Sequence, residues 1–104
     1  METIRKWTSP TQELTVEDID LTSADVYVTF RQDGNTLTFS GEDLTMAYTE
    51  PDTTITVHLT QEQTGAFNSK LILVQVNWVQ DGQRNATNIV SFKPMENLYK
   101  QVIE

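Results

Sequence analysis

The sequence has no cysteine, so it offers neither a disulfide framework nor a thiolate metal site. A chain of 104 residues can bury a core without such crosslinks. Glycine and proline are scarce, at four and three residues, and no tract of either divides the chain, which favours one domain over 1–104. Basic residues are also few: seven Lys and Arg stand against fifteen Asp and Glu, for a net charge of −8. Such a surface repels phosphate backbones and anionic lipid, which argues against nucleic acid and membrane as partners. No apolar run approaches the length that spans a bilayer. The N-terminal residues lack the basic start, apolar run and small-residue site of a signal peptide.

What is present is β-branched. Threonine is the commonest residue and valine is frequent, a bias toward strands. "ADVYVTFRQ" (24–32) alternates, with Val26, Val28 and Phe30 on one face and Tyr27, Thr29 and Arg31 on the other. "DGN" (33–35) predicts a hairpin turn, because Gly34 and Asn35 tolerate positive φ. "TLTFS" resumes with Leu37 and Phe39 inward, and "GEDL" breaks the pattern before a short strand in "TMAYTE". "EPDT" (50–53) reads as a turn with Pro51 second. "TITVHL" sends Ile55, Val57 and Leu59 inward and leaves Thr56 and His58 outward.

"LTQEQTGAF" (59–67) differs in kind. Thr60 and Gln63 form a capping box, so one helical turn is predicted, with Gly65 limiting it and Phe67 beneath it. The most apolar strand follows in "KLILVQVNWVQ" (70–80), with Ile72, Val74, Val76 and Trp78 sharing a face. "DGQR" turns the chain into a last strand, "NATNIVSFK" (85–93), with Val90 and Phe92 inward and Pro94 as its stop. "TIRKWT" and "QELTVE" are candidate edge strands broken at Pro10, and "MENLYKQVIE" is either a short helix or an extended tail.

About seven short strands at regular spacing predict an all-β antiparallel sandwich. The core spans roughly 14–93, residues 94–104 form a tail, and the helical turn at about 60–66 joins the two sheets.

Chemistry is sparse. The one histidine, His58, has no cysteine and no Gly-x-Ser-x-Gly serine to pair with. Glu17, Asp18, Asp20 and Asp25 cluster, but their spacing lacks the central glycine of a calcium loop. The near pairs Glu42 with Asp43 and Glu50 with Asp52 lie in turns, without the cleft that glycoside hydrolysis needs. "NAT" (85–87) matches a glycosylation acceptor, which without a secretory signal is a chance match. No catalytic, cofactor or metal residues are expected. The feature that suggests partners is apolar and outward: Tyr27, Leu71, Leu73, Val79 and Ile89 fall opposite the core face and predict an interface patch. Trp7, Leu98, Tyr99, Val102 and Ile103 are the internal residues that would cover it instead.

Three stretches carry a family resemblance: "DIDLTSADVYVTFRQ", "TITVHLTQEQTGAF" and "LILVQVNWVQDGQRNATNIVSF". With an Ala-Asp-x-x-Val-x-Phe strand, a Leu-Thr-Gln-Glu-x-Thr turn and a Val-Gln-Val strand, they resemble small structural proteins of tailed bacteriophages and prophages. Over roughly residues 15–93 the chain is similar to the N-terminal domain of phage baseplate upper proteins. The resemblance implies an immunoglobulin-like fold and a non-enzymatic virion component of tail, baseplate or head. Such a protein associates with other virion proteins or with itself as a homo-oligomer, and resides in the particle or, during assembly, in the host cytoplasm. Domains of this group usually precede a coiled-coil or receptor-binding region, and here the sequence runs only a few residues past its last strand. The alternative expectation is a monomeric module binding carbohydrate or the host surface through Trp7, Tyr27, Tyr48 or Trp78.

Overall fold

A computed structural model describes residues 2–103 and, for side chains, residues 3–103. The strand segments are β1 (Glu2–Arg5), β2 (Thr11–Val16), β3 (Asp25–Gln32), β4 (Asn35–Ser40), β5 (Leu44–Thr49), β6 (Asp52–His58), β7 (Ile72–Gln80), β8 (Gln83–Ala86) and β9 (Val90–Met95). One 3-10 turn (Gly41–Asp43) precedes β5, and one helix, α1 (Gln61–Gly65), precedes β7. They form two sheets. The larger runs β1-β9-β7-β3-β4, with β8 also beside β7; the smaller runs β2-β6-β5. This is an all-β sandwich, and its strand order is that of an immunoglobulin-like fold. No helix among the described residues is long and apolar enough to cross a membrane.

Alternation builds the core. Val26, Val28 and Phe30 of β3 face Ile72, Val74, Val76 and Trp78 of β7 on the inner side of one sheet, and Ile55 and Val57 line the other. All are buried. Ile4 of β1 joins them, so the N-terminal segment is part of the core and not only an edge. The capping box forms as expected: Gln63 N–H donates to Thr60 Oγ1 at 3.2 Å and Thr60 N–H to Gln63 Oε1 at 2.9 Å. α1 carries the chain from the smaller sheet to the larger, with Phe67 buried behind it.

Several local expectations are corrected. In the β3–β4 hairpin the positive φ belongs to Asp33, not to Gly34 or Asn35. The Glu50–Pro51 peptide is cis, and Pro51 sits third in a turn closed by Thr49 and Asp52, not second. Pro94 does not stop the last strand. Lys6 N–H bonds to Met95 C=O, so ladder alternation turns the Pro94 nitrogen away from β1, where no donor is needed. The expected strand at 85–93 is two segments. Asn77 pairs with Ala86 but Val74 with Val90, which leaves one extra residue and makes a bulge. Thr87 braces it: its hydroxyl accepts from Val76 N–H at 3.1 Å, and its carbonyl accepts from Gln75 Nε2 at 2.9 Å. Val90 is on the inward side yet 48% exposed, whereas Phe92 is buried.

Gly65 does more than limit a helix. The Trp7 indole lies over it, and a Cβ at that position would stand 2.5 Å from ring carbons. Gly65→Ala is therefore expected to destabilise by about 1–3 kcal/mol, against the usual helical gain from alanine. Thermal unfolding of Gly65→Ala with and without Trp7→Ala checks this. Removing the indole should abolish the penalty of the glycine substitution.

Candidate interaction face

The outward side of the six-stranded sheet follows from strand parity. Tyr27 pairs with Asn77, Thr29 with Gln75 and Arg31 with Leu73, so these residues form rows on one surface. Tyr27, Leu71, Val79 and Ile89 are exposed there, and Leu73 is half-buried. All five expected interface residues thus share a face. They do not form one patch, however. Leu71, Leu73 and Ile89 gather toward one end, Tyr27 and Val79 toward the other, and Thr29, Gln75 and Asn77 make a polar strip between. Each cluster borders a shallow depression. One of about 220 Å³ is lined by Leu73, Ile89 and Arg31; one of about 360 Å³ by Tyr27, Val79 and Arg84.

The internal residues named as the alternative cover of the face lie elsewhere. Trp7 packs on Gly65. Among its described residues the tail has no helix, and it runs to α1, where Ile103 N–H donates to Gln61 Oε1 at 2.8 Å and Gln61 Nε2 to Ile103 C=O at 2.9 Å. Leu98, Tyr99, Val102 and Ile103 are themselves exposed.

Charge distinguishes this face from the rest of the molecule. By parity, Arg31 of β3, Arg84 of β8, Lys93 of β9 and Arg5 of β1 all point outward here. The one acidic residue among the described outward positions is Asp25. Four of seven basic residues thus collect on one face of a chain whose net charge is −8. Arg84 Nη2 donates to Asn77 Oδ1 at 3.4 Å, which lays its guanidinium over the polar strip. Arg31 shares the parity of Tyr27, so its placement was readable from β3 alone. Arg5 and Lys93 join through the parallel β1–β9 pairing, which no local pattern announces.

Glu17, Asp18, Asp20, Asp33, Glu50 and Asp81 lie in loops and turns. Asp18 N–H donates to Asp52 Oδ1 at 3.1 Å, and Gln80 Nε2 to Asp20 C=O at 3.1 Å, which draws the 17–24 loop toward the β5–β6 turn and the end of β7. The Thr22 hydroxyl and N–H hold the Asp20 carboxyl below its ordinary range. Asp33 is likewise lowered, by Lys70 and then by Asn68. Among the described residues, no three His, Asp or Glu side chains are placed to hold a metal ion. His58 lies outward on β6, its Nδ1 3.2 Å from Thr11 Oγ1. Asn85 of the acceptor-like triplet lies in β8.

The aromatic residues named for sugar binding do not converge. Trp78 is core, Trp7 is at α1, and Tyr27 and Tyr48 sit on different sheets. Comparison of the chain with protein-family models, with curated proteins and with solved structures gives no match.

Proposed function

We propose that the chain is a non-enzymatic structural or accessory module of a phage particle, acting by protein–protein association through the outer face of its six-stranded sheet. The observation that supports this most is the joint placement of exposed apolar residues and cations on one face of an acidic molecule. Apolar clusters give a docked partner contact area, and a charge of one sign around them selects and orients it. The partner suited to such a face is a virion protein with an acidic surface and apolar side chains that enter the two depressions. The phage assignment rests on the sequence resemblance alone.

The face is tested by substitution. The double variant Leu73→Asp, Ile89→Asp places charge on half-exposed and exposed positions, so the fold should survive. The immobilised chain is expected to retain at least one protein from dissociated particles of the phage that encodes it, and the variant to lose that binding by ten-fold or more. Equal retention by both would remove the face from the account. A captured partner that is lost on Arg31→Glu as well would support the charge argument.

A further inference from the structure

One edge of the sandwich is incomplete. β2 is the terminal strand of the smaller sheet. Its ladder bonds to β6 alternate, and Leu59 N–H to Pro10 C=O at 3.0 Å sets their phase. Pro10, Gln12, Leu14 and Val16 therefore face β6. Thr11, Glu13 and Thr15 turn their N–H and C=O groups outward, and none has a backbone partner among the described residues. Beside this edge lies an open groove of about 630 Å³, running between β2 and the bulged end of β9. Leu14, Val74, Val76, Val90 and Phe92 make its apolar lining, and Glu13 and Glu17 its charged rim. No basic residue lines it. The half-exposed Val90, on the inward side of its strand, is where the core is left open. In an immunoglobulin-like sandwich a further strand pairs at this position.

The same chain carries an apolar segment with no place in the core. Leu98 is fully exposed, and Tyr99, Val102 and Ile103 are exposed as well. Lys100 is the one cation of this tail. Extended, residues 98–103 span about 20 Å, the length of an ordinary strand. The tail does not enter its own groove: it leaves β9 beyond the β1 pairing and runs to α1. What holds it there is slight. Two exposed hydrogen bonds to Gln61 and an exposed Lys100–Glu96 pair at 3.3 Å are readily exchanged.

We propose that residues 98–103 of one copy add as a strand to β2 of a second copy. The donated strand would bond to the free backbone groups of Thr11, Glu13 and Thr15. Its apolar side chains would cover Val90 and Leu14, and Lys100 would meet Glu13 and Glu17. Strand addition of this kind takes its affinity from main-chain bonds and its specificity from the pockets beneath. Reciprocal exchange closes a dimer; one-way donation builds a ring or a filament. The outer face of the larger sheet has no part in it.

The intact chain, a chain ending at Glu96 and a synthetic peptide of residues 97–104 make the test. Sedimentation velocity should show mass rising with concentration for the intact chain and a monomer for the shortened one. The peptide should bind the shortened chain, and at least ten-fold more weakly when Val90→Asp is introduced. Val90 is half-exposed already, so that variant keeps its fold. Oligomers that survive the shortening would overturn the proposal. So would a monomer at every concentration that ignores the peptide, or a groove that accepts an unrelated basic, apolar-alternating peptide but not the tail. The Leu73→Asp, Ile89→Asp variant keeps the two readings apart, because tail-dependent mass should persist in it while binding through the outer face is lost.

Discussion

Phe30→Ala is expected to cost about 3–5 kcal/mol of folding stability, the range for truncating a fully buried phenylalanine. The ring is inaccessible to solvent at the middle of β3. It meets Phe39 edge-on, with centroids 5.7 Å apart, and leans on Phe92 at 6.4 Å. Phe39 comes from β4 and Phe92 from β9, so one ring ties three strands of the larger sheet together. Each aromatic pair adds about 0.5–1.5 kcal/mol beyond burial. Domains of this size have about 5–15 kcal/mol in all, so the variant should unfold at a much lower denaturant concentration. The midpoint of urea unfolding measures it, with an unchanged slope showing that the loss lies in the folded state. A loss below about 1 kcal/mol would mean that the core closes around the gap and that Phe30 is not its centre.

Thr53→Val has the second large expected effect, and for a different reason. Thr53 is completely buried. Its hydroxyl accepts from Leu21 N–H at 3.0 Å and donates to Ile19 C=O at 2.6 Å, which fastens the 17–24 loop to β6. Valine has the same shape and no hydroxyl. The substitution leaves one buried donor and one buried acceptor unpaired, each at about 1–3 kcal/mol, for a total of about 2–6 kcal/mol. Thr54→Val, on the outward side of the same strand, should stay within about 0.5 kcal/mol. Equal effects at both positions would show that the hydroxyl of Thr53 holds nothing.

These two residues mark what the sequence made legible. Phe30 was readable as core because period-two alternation needs only its own strand. The same holds for Val76 and Ile55, and for the capping box, whose two residues lie three apart. Thr53 was not readable, because its partners are more than thirty positions away. Gln32 is similar: it shares the inward parity of Phe30, is buried, and bonds to Asn68 and Lys70 across the sheet. Alternation predicts where a side chain points and is silent about what waits there. Val90 is the clearest case, since its parity is right and yet it lines the open groove beside β2. The candidate face divides in the same way. Its apolar members came from parity within single stretches: Tyr27 in β3, Leu71, Leu73 and Val79 in 70–80, and Ile89 in 85–93. Of its positive charge only Arg31 was legible in the same way; Arg5, Arg84 and Lys93 joined it once β1, β8 and β9 were laid beside β7.

A structural module of a phage must be present in the particle itself. Mass spectrometry of particles purified from the host that encodes it measures this directly, with peptide standards to count copies. A fixed number of copies per particle, retained through density-gradient purification, is the expected result. A chain that is abundant in the lysate and missing from purified particles would contradict the structural role.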